Sequence, residues 1–205
     1  MAKQHKKPTG NLSLYKLSSS EKEEIKIQFP ETKDNQETSI IELFIKLVKT
    51  NELINFPVDG YERNREQDLD FTIVNKNEKS LLELTELIPT DNMKGGYASV
   101  SSLVDPDKLV KRLINIIDKK SKKYVGIKMP IDLLIYVTDN NSNISIGAER
   151  YLKSYLNSNP NVFRFIFYFV PMLEINDGII IQYYPNKEGD ENIEGPLGSA
   201  LNLKF

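Results

Sequence analysis

The chain has no cysteine, and His5 is its single histidine. The first absence excludes disulfides, thiolate metal sites and cysteine nucleophiles. His5 sits in the basic polar start Lys3-Gln4-His5-Lys6-Lys7-Pro8, so histidine zinc sites, Ser-His-Asp hydrolysis and histidine general bases fall away too. A Ser–Lys dyad is formally open, but no spacing recommends it. No apolar run approaches the length of a membrane span, and residues 1–20 lack the sustained apolar centre of a signal peptide. Charge of one sign is scarce as well: 27 Lys+Arg stand against 29 Asp+Glu, so no global basic field advertises nucleic acid. The expectation is a soluble, cytoplasmic protein without a membrane partner. Its chemistry must rest on carboxylates, lysines, hydroxyls and, where a metal is used, oxygen ligands.

What is present suits one domain, since 205 residues at 40% hydrophobic content can bury a core. Residues 1–24 read as a flexible polar segment, 25–184 as a single α/β domain and 185–205 as an irregular tail. Residues 25–29 alternate and predict a short edge strand. Ile40, Ile41, Phe44, Leu47 and Val48 recur at three- and four-residue steps, predicting an amphipathic helix over 35–50. Glu37 falls at the N-terminal edge of its buried face, whereas Glu42 projects elsewhere. The plain role for Glu37 is a first-turn acid complementing the helix dipole. An extended segment over 53–58, a turn at Asp59-Gly60 and a charged run over 61–66 follow.

The informative stretch is a hairpin: strands over 67–74 and 80–88, joined by a polar loop of about five residues. Side chains alternate across a strand, so Asp68, Asp70 and Thr72 share one face and Leu69, Phe71 and Ile73 the other. On the second strand Leu81, Glu83, Thr85 and Leu87 oppose Leu82, Leu84, Glu86 and Ile88. Glu83 therefore lies in a strand apolar on both sides, the pattern of one covered on both faces. A buried carboxylate needs a partner, a metal or a proton to offset its desolvation. Asp70 and Glu83 on paired strands can answer that together by holding a hard cation. The bland alternative makes Asp68 and Asp70 solvated turn residues.

A long connection over 89–102 follows directly from the Glu83 strand, and connections of that length are often binding loops or disordered. Gly95-Gly96 within it lacks the context of a phosphate loop. A second helix over 107–124 has the apolar stripe Leu109, Leu113, Ile116 and Ile117. Between 105 and 128 eight Lys/Arg (Lys108, Lys111, Arg112, Lys119, Lys120, Lys122, Lys123, Lys128) face three Asp, in a chain that is negative overall. A basic helix beside paired acids is what an enzyme acting on a polyanion would use, although charge runs are commonly just solvated faces. Beyond it come a near-continuous apolar strand over 130–138, a turn over 139–143, a helix over 147–157, a buried strand over 162–170 closed by Pro171, and an edge strand over 179–184.

Element order and acid spacing together resemble the PD-(D/E)xK, or restriction-endonuclease-like, phosphodiesterases, over about residues 35–138. The resemblance implies an α/β fold with a mixed central sheet, helices on both faces and an αβββαβ core. It implies Mg²⁺ (or Mn²⁺) held by Asp70, in Asp68-Leu69-Asp70-Phe71, and Glu83, in Leu82-Glu83-Leu84-Thr85, with Glu37 joining from the first helix. Lys119-Lys120-Ser121-Lys122-Lys123-Tyr124 before Leu133-Leu134-Ile135-Tyr136 is also similar to many members. The family's lysine, two residues after the second acid, is Thr85 here. Members can relocate that lysine to the following helix, which points to Lys111 or Lys119/Lys120. The implied function is metal-dependent hydrolysis of nucleic acid, DNA before RNA, in restriction, repair or defence. Asp70, Glu83, Thr85, Lys111 and Lys119 are then the catalytic candidates, and Lys108, Lys111, Arg112, Lys119, Lys120 and Lys123 hold the backbone, in a possible homodimer. Two other readings stay open: a non-catalytic relative that binds nucleic acid or protein, favoured by Thr85, and an immunity or structural protein with no polyanion partner.

Overall fold

Two kinds of strand pattern, half-buried and fully buried, are sorted here into one sheet. The computed structural model describes residues 12–17, 22–51, 54–64, 69–76, 78–88, 105–140 and 144–185. Its main sheet has six strands in the order β3-β4-β5-β6-β7-β8, which are Gly60–Arg63, Phe71–Asn75, Glu78–Glu86, Ile131–Tyr136, Phe163–Met172 and Asp177–Tyr184. The β3–β4 and β4–β5 pairs are antiparallel, the β5–β6 and β6–β7 pairs are parallel, and β8 returns antiparallel to β7 at the edge. The sheet is thus mixed, as expected. Strands β5 to β7 read as continuous apolar runs because both their faces are covered.

Three helices supply the cover. α1 (Lys33–Thr50) starts two residues before the expected boundary because Thr32 caps it, its Oγ1 accepting from the Asn35 N–H at 3.3 Å. It buries Ile40, Ile41, Phe44 and Val48 against Phe71, Ile73, Leu82, Leu84, Leu134, Phe167 and Phe169 on one face. α2 (Pro106–Lys123), opened by Asp105 and Pro106, and α3 (Ile146–Ser158), capped by Ser145, pack on the other. There Leu109, Leu113, Ile117, Leu152 and Leu156 meet Leu81, Leu87, Leu133, Ile135, Ile166 and Tyr168. Among the described residues no helix is long and apolar enough to cross a membrane.

Further differences from expectation concern four places. Residues 12–17, placed in a flexible segment, form β1 (Leu12–Leu17), paired antiparallel with β2 (Lys22–Ile27) in a separate two-stranded sheet. Lysines and serines dilute its composition, yet Leu12 and Ile27 alternate inward and join the α2–α3 core. The extended segment 54–58 is not a strand. Ile54, Phe56 and Val58 bury into the α1 core, and the neighbour of β4 is the charged run, now β3. The hairpin connection is tighter than five residues: Asn75 pairs with Glu78, and Lys76 takes a left-handed φ of 50°. Finally, Pro171 does not close β7 but lies within it, opposite Gly178. β6 has ended by that point, so a residue without an N–H costs no ladder bond on that side. Asp68, the long connection over 89–104 and the tail from 186 lie outside the described residues.

Candidate active site

The β4–β5 register sets Phe71 opposite Leu82 and Thr72 opposite Leu81. One more step along it sets Asp70, at the mouth of β4, opposite Glu83. There β4 gives way to a bend, and the Asp70 Oδ2 accepts the Leu84 N–H at 2.7 Å. Alternation along β5 sends Leu82 and Leu84 to the α1 core, so Glu83 and Thr85 face α2. Glu83 is 4% exposed. Its Oε1 accepts a bond from the Lys120 Nζ on α2, while its Oε2 is buried without a hydrogen-bond partner among the described residues. The Thr85 Oγ1 is likewise buried and unpartnered.

Glu37 reaches the same neighbourhood from the first turns of α1. It is 3% exposed and held by Lys33 at 3.1 Å and Arg63, from β3, at 3.1 Å. The charge of Asp70 acts on both glutamates. Burial pushes the Glu83 carboxyl above its usual range, the Lys120 bond pulls it back, and the charge of Asp70 pushes it up again. Glu37 is raised by burial first and by Asp70 next, against Lys33 and Arg63. Lys33 is lowered by burial but more than restored by Glu37, with Asp70 and Glu83 adding to it. Of the expected acids, Asp70 thus lies within electrostatic reach of both Glu37 and Glu83.

The basic candidates divide. Lys108, Lys111, Lys119, Lys122 and Lys123 are exposed, and Arg112 donates to the Ile88 carbonyl. At ~100° per residue these six fall within an arc of about 120° on the outer side of α2. Lys111 and Lys119 thus point away from the acids, and the catalytic role assigned to them is not supported by position. Lys120, named beside Lys119 as a candidate for the relocated lysine, is the one that reaches Glu83. It lies three residues after Ile117 and seven after Leu113, on the border of the buried stripe. Sequence reasoning missed Lys33 and Arg63, and it missed Tyr124, whose buried ring carries the hydroxyl that favours the charged form of Glu83. The four-residue spacing of Lys33 and Glu37 was a legible signal for the first of these.

Among the described residues no three His, Cys, Asp or Glu side chains converge closely enough to hold a metal by themselves. The donor set still fits a hard cation. Mg²⁺ keeps several waters and commonly uses only one or two carboxylates, which Asp70 and Glu83 provide, and the unpartnered Glu83 Oε2 is an oxygen without a proton donor. With no cysteine in the chain and no imidazole at the site among the described residues, softer metals find no ligands there.

A second buried acid serves as comparison. Asp132 on β6 is fully buried, yet Arg164 grips it through Nε at 3.0 Å and Nη2 at 2.7 Å, and the Ser80 Oγ donates at 2.8 Å. Burial raises its carboxyl and Arg164 and Ser80 lower it. Both its oxygens are satisfied, as in a structural ion pair. No protein-family description, curated protein or solved structure matches this chain.

Proposed function

We propose that this chain is a Mg²⁺- or Mn²⁺-dependent nuclease with a variant active site on a restriction-endonuclease-like αβββαβ core, hydrolysing phosphodiesters of DNA or RNA. The observation that supports it most is Glu83: buried, half satisfied, opposite Asp70, and met by a lysine from the following helix. The order α1, β3, β4, β5, α2, β6 agrees with such a core. Asp70 and Glu83 would hold the cation, with Glu37 close behind. When bound, a divalent cation supplies Lewis acidity and offsets charge on the phosphoryl oxygens. Lys120 takes the part of the relocated family lysine, placing a positive charge where the phosphoryl group gains negative charge. Thr85 can hydrogen-bond a water but supplies no charge. The exposed basic arc of α2 holds the backbone without reading sequence.

The test is incubation of single- and double-stranded DNA and RNA with the protein in Mg²⁺ or Mn²⁺, against chelator and Glu83→Gln controls. Metal-dependent cutting abolished by the substitution is the expected result. A folded protein that cuts none of the four substrates sinks the hydrolytic reading and leaves a binding module, the alternative favoured by Thr85 at the family's lysine position.

A further inference from the structure

We infer that Lys120 is a resident counter-cation of Glu83, which an arriving divalent cation displaces and thereby frees for the substrate's phosphate. The inference rests on the metal-dependent reading of this site and concerns what the metal-free protein does with its acids.

The charge count is the first reason. Glu37, Asp70 and Glu83 bring three negative charges to one neighbourhood, Lys33, Arg63 and Lys120 bring three positive ones, and Asp34, 80% exposed, shares Arg63 from the solvent side. Apart from that solvent-screened Asp34, the metal-free site is already balanced. Adding a dication without moving anything would leave a net charge of two in a partly buried place, where charges are poorly screened. One resident cation must yield. Arg63 is fixed by several bonds at once, to the Asp34 carbonyl at 2.7 Å, the Thr38 Oγ1 at 2.9 Å, the Asp34 Oδ1 at 2.9 Å and the Glu37 Oε2 at 3.1 Å. Lys33 faces Glu37, the acid on α1 rather than on the hairpin. Lys120 is bonded to Glu83 itself and is 27% exposed, with solvent on one side. Its four-carbon stem lets the ammonium swing without disturbing α2.

The second reason is the direction in which it is freed. Lys120 borders the exposed basic arc of α2, so an ammonium leaving Glu83 moves toward the surface proposed to hold a phosphate backbone. Metal and polyanion then assist each other. The metal releases the lysine, and the phosphate supplies the negative charge that the lysine has lost. Lys120 is a positioning residue in the metal-free state and a phosphate contact in the loaded one.

Calorimetric titration of Mn²⁺ into the protein without nucleic acid tests this, comparing wild type, Lys120→Met and Glu83→Gln. Removing the competing ammonium is expected to tighten Mn²⁺ binding about tenfold in Lys120→Met. It should also enlarge the thermal stabilisation that Mn²⁺ gives. Equal or weaker binding in Lys120→Met overturns the inference while leaving metal binding, and the nuclease reading, intact. Mn²⁺ binding that is absent in wild type and Lys120→Met alike overturns both. Tighter binding in a protein that cuts nothing supports this inference and sinks only the nuclease reading. Should Lys120→Met not fold, the lysine ammonium NMR signals of the wild type decide. A slowly exchanging ammonium, absent in Glu83→Gln, should be lost on adding Mg²⁺, and its persistence at saturating Mg²⁺ refutes displacement.

Discussion

Replacing Glu83 with glutamine should stabilise the metal-free protein. Two effects compete. Breaking a buried ion pair is costly when the surviving partner is left charged and buried, whereas exchanging a pair for a neutral isostere is often neutral or favourable. The survivor here is Lys120, more than a quarter exposed, so its ammonium can return to water. The glutamine keeps a carbonyl oxygen for Tyr124 and sheds the desolvation of a carboxylate. The second effect wins, and the gain is about 1 kcal/mol near neutral pH. The pH dependence fixes the sign. The folded-state value of Glu83 lies above its ordinary 4.5, chiefly through burial. The folded protein therefore holds that proton more tightly than the unfolded chain does. Its stability falls as pH rises from the ordinary value through the raised one, and is level beyond. The glutamine variant lacks that fall. Urea unfolding in chelator at about pH 4 and about pH 7.5 should show a gap that is small at the lower pH and full at the higher. A variant less stable than wild type at the higher pH, or a gap equal at both, refutes the reasoning. Lys120 would then more than offset the burial of Glu83.

The other acid on the sheet should behave in the opposite way. Arg164→Met leaves Asp132 with only the Ser80 hydroxyl and the Phe165 backbone N–H in a fully buried place, and should cost about 3 kcal/mol by denaturant unfolding, with Mn²⁺ affinity unchanged. Asp132→Leu added to it should recover most of that loss, since the stranded charge is gone. Replacing Lys108, Lys111, Lys119 and Lys122 together by alanine should leave unfolding within about 0.5 kcal/mol of wild type. In a fluorescence-anisotropy salt series the same variant should bind nucleic acid more weakly. Its slope of log affinity against log salt should be shallower by about 0.9 for each phosphate that is no longer neutralised.

How far the sequence disclosed this site depends on which physical rule governs each residue. Alternation and hydrophobic cover were enough to place Glu83 in a buried strand and Asp70 on its partner. Register was not. A five-residue loop pairs Val74 with Ser80 and so sets Asp70 opposite Leu84, on the wrong face. The turn at Lys76, with Asn75 opposite Glu78, shifts the pairing by one residue and brings Asp70 to Glu83. Lys76 in a left-handed turn is not what composition leads one to expect, since that conformation favours glycine and asparagine. The lysine was open to reasoning, which left Lys111, Lys119 and Lys120 as alternatives. Around α2 the azimuth separates Lys120, in line with Leu113 and Ile117, from Lys111 and Lys119. The partnership of Ser80, Asp132 and Arg164 joins residues as many as 84 apart. No local pattern could have announced it. The β1–β2 hairpin was hidden for another reason: Leu12 and Ile27 turn inward among lysines, serines and glutamates that swamp them in the local composition.

The contrast between Asp132 and Glu83 bears on whether the site is an accident of packing or a place of function. Both are buried carboxylates on central strands of one sheet, and both are raised by that burial. Around Asp132 the chain supplies a bidentate guanidinium and a hydroxyl, so this fold is able to satisfy a buried acid completely. Around Glu83 it supplies one flexible ammonium and the Tyr124 hydroxyl, and leaves the second oxygen, together with the neighbouring Thr85 hydroxyl, without a partner among the described residues. It also sets another acid, Asp70, directly across the pair, which makes the desolvation harder to offset. Buried polar atoms are rarely left unmet in native structures, and those that are call for an explanation. Stability alone would have placed a second arginine, or a leucine, at this point. An arrangement that accepts the cost, keeps only hard oxygens and opens beside a basic helix is intelligible if something cationic and something anionic arrive there together.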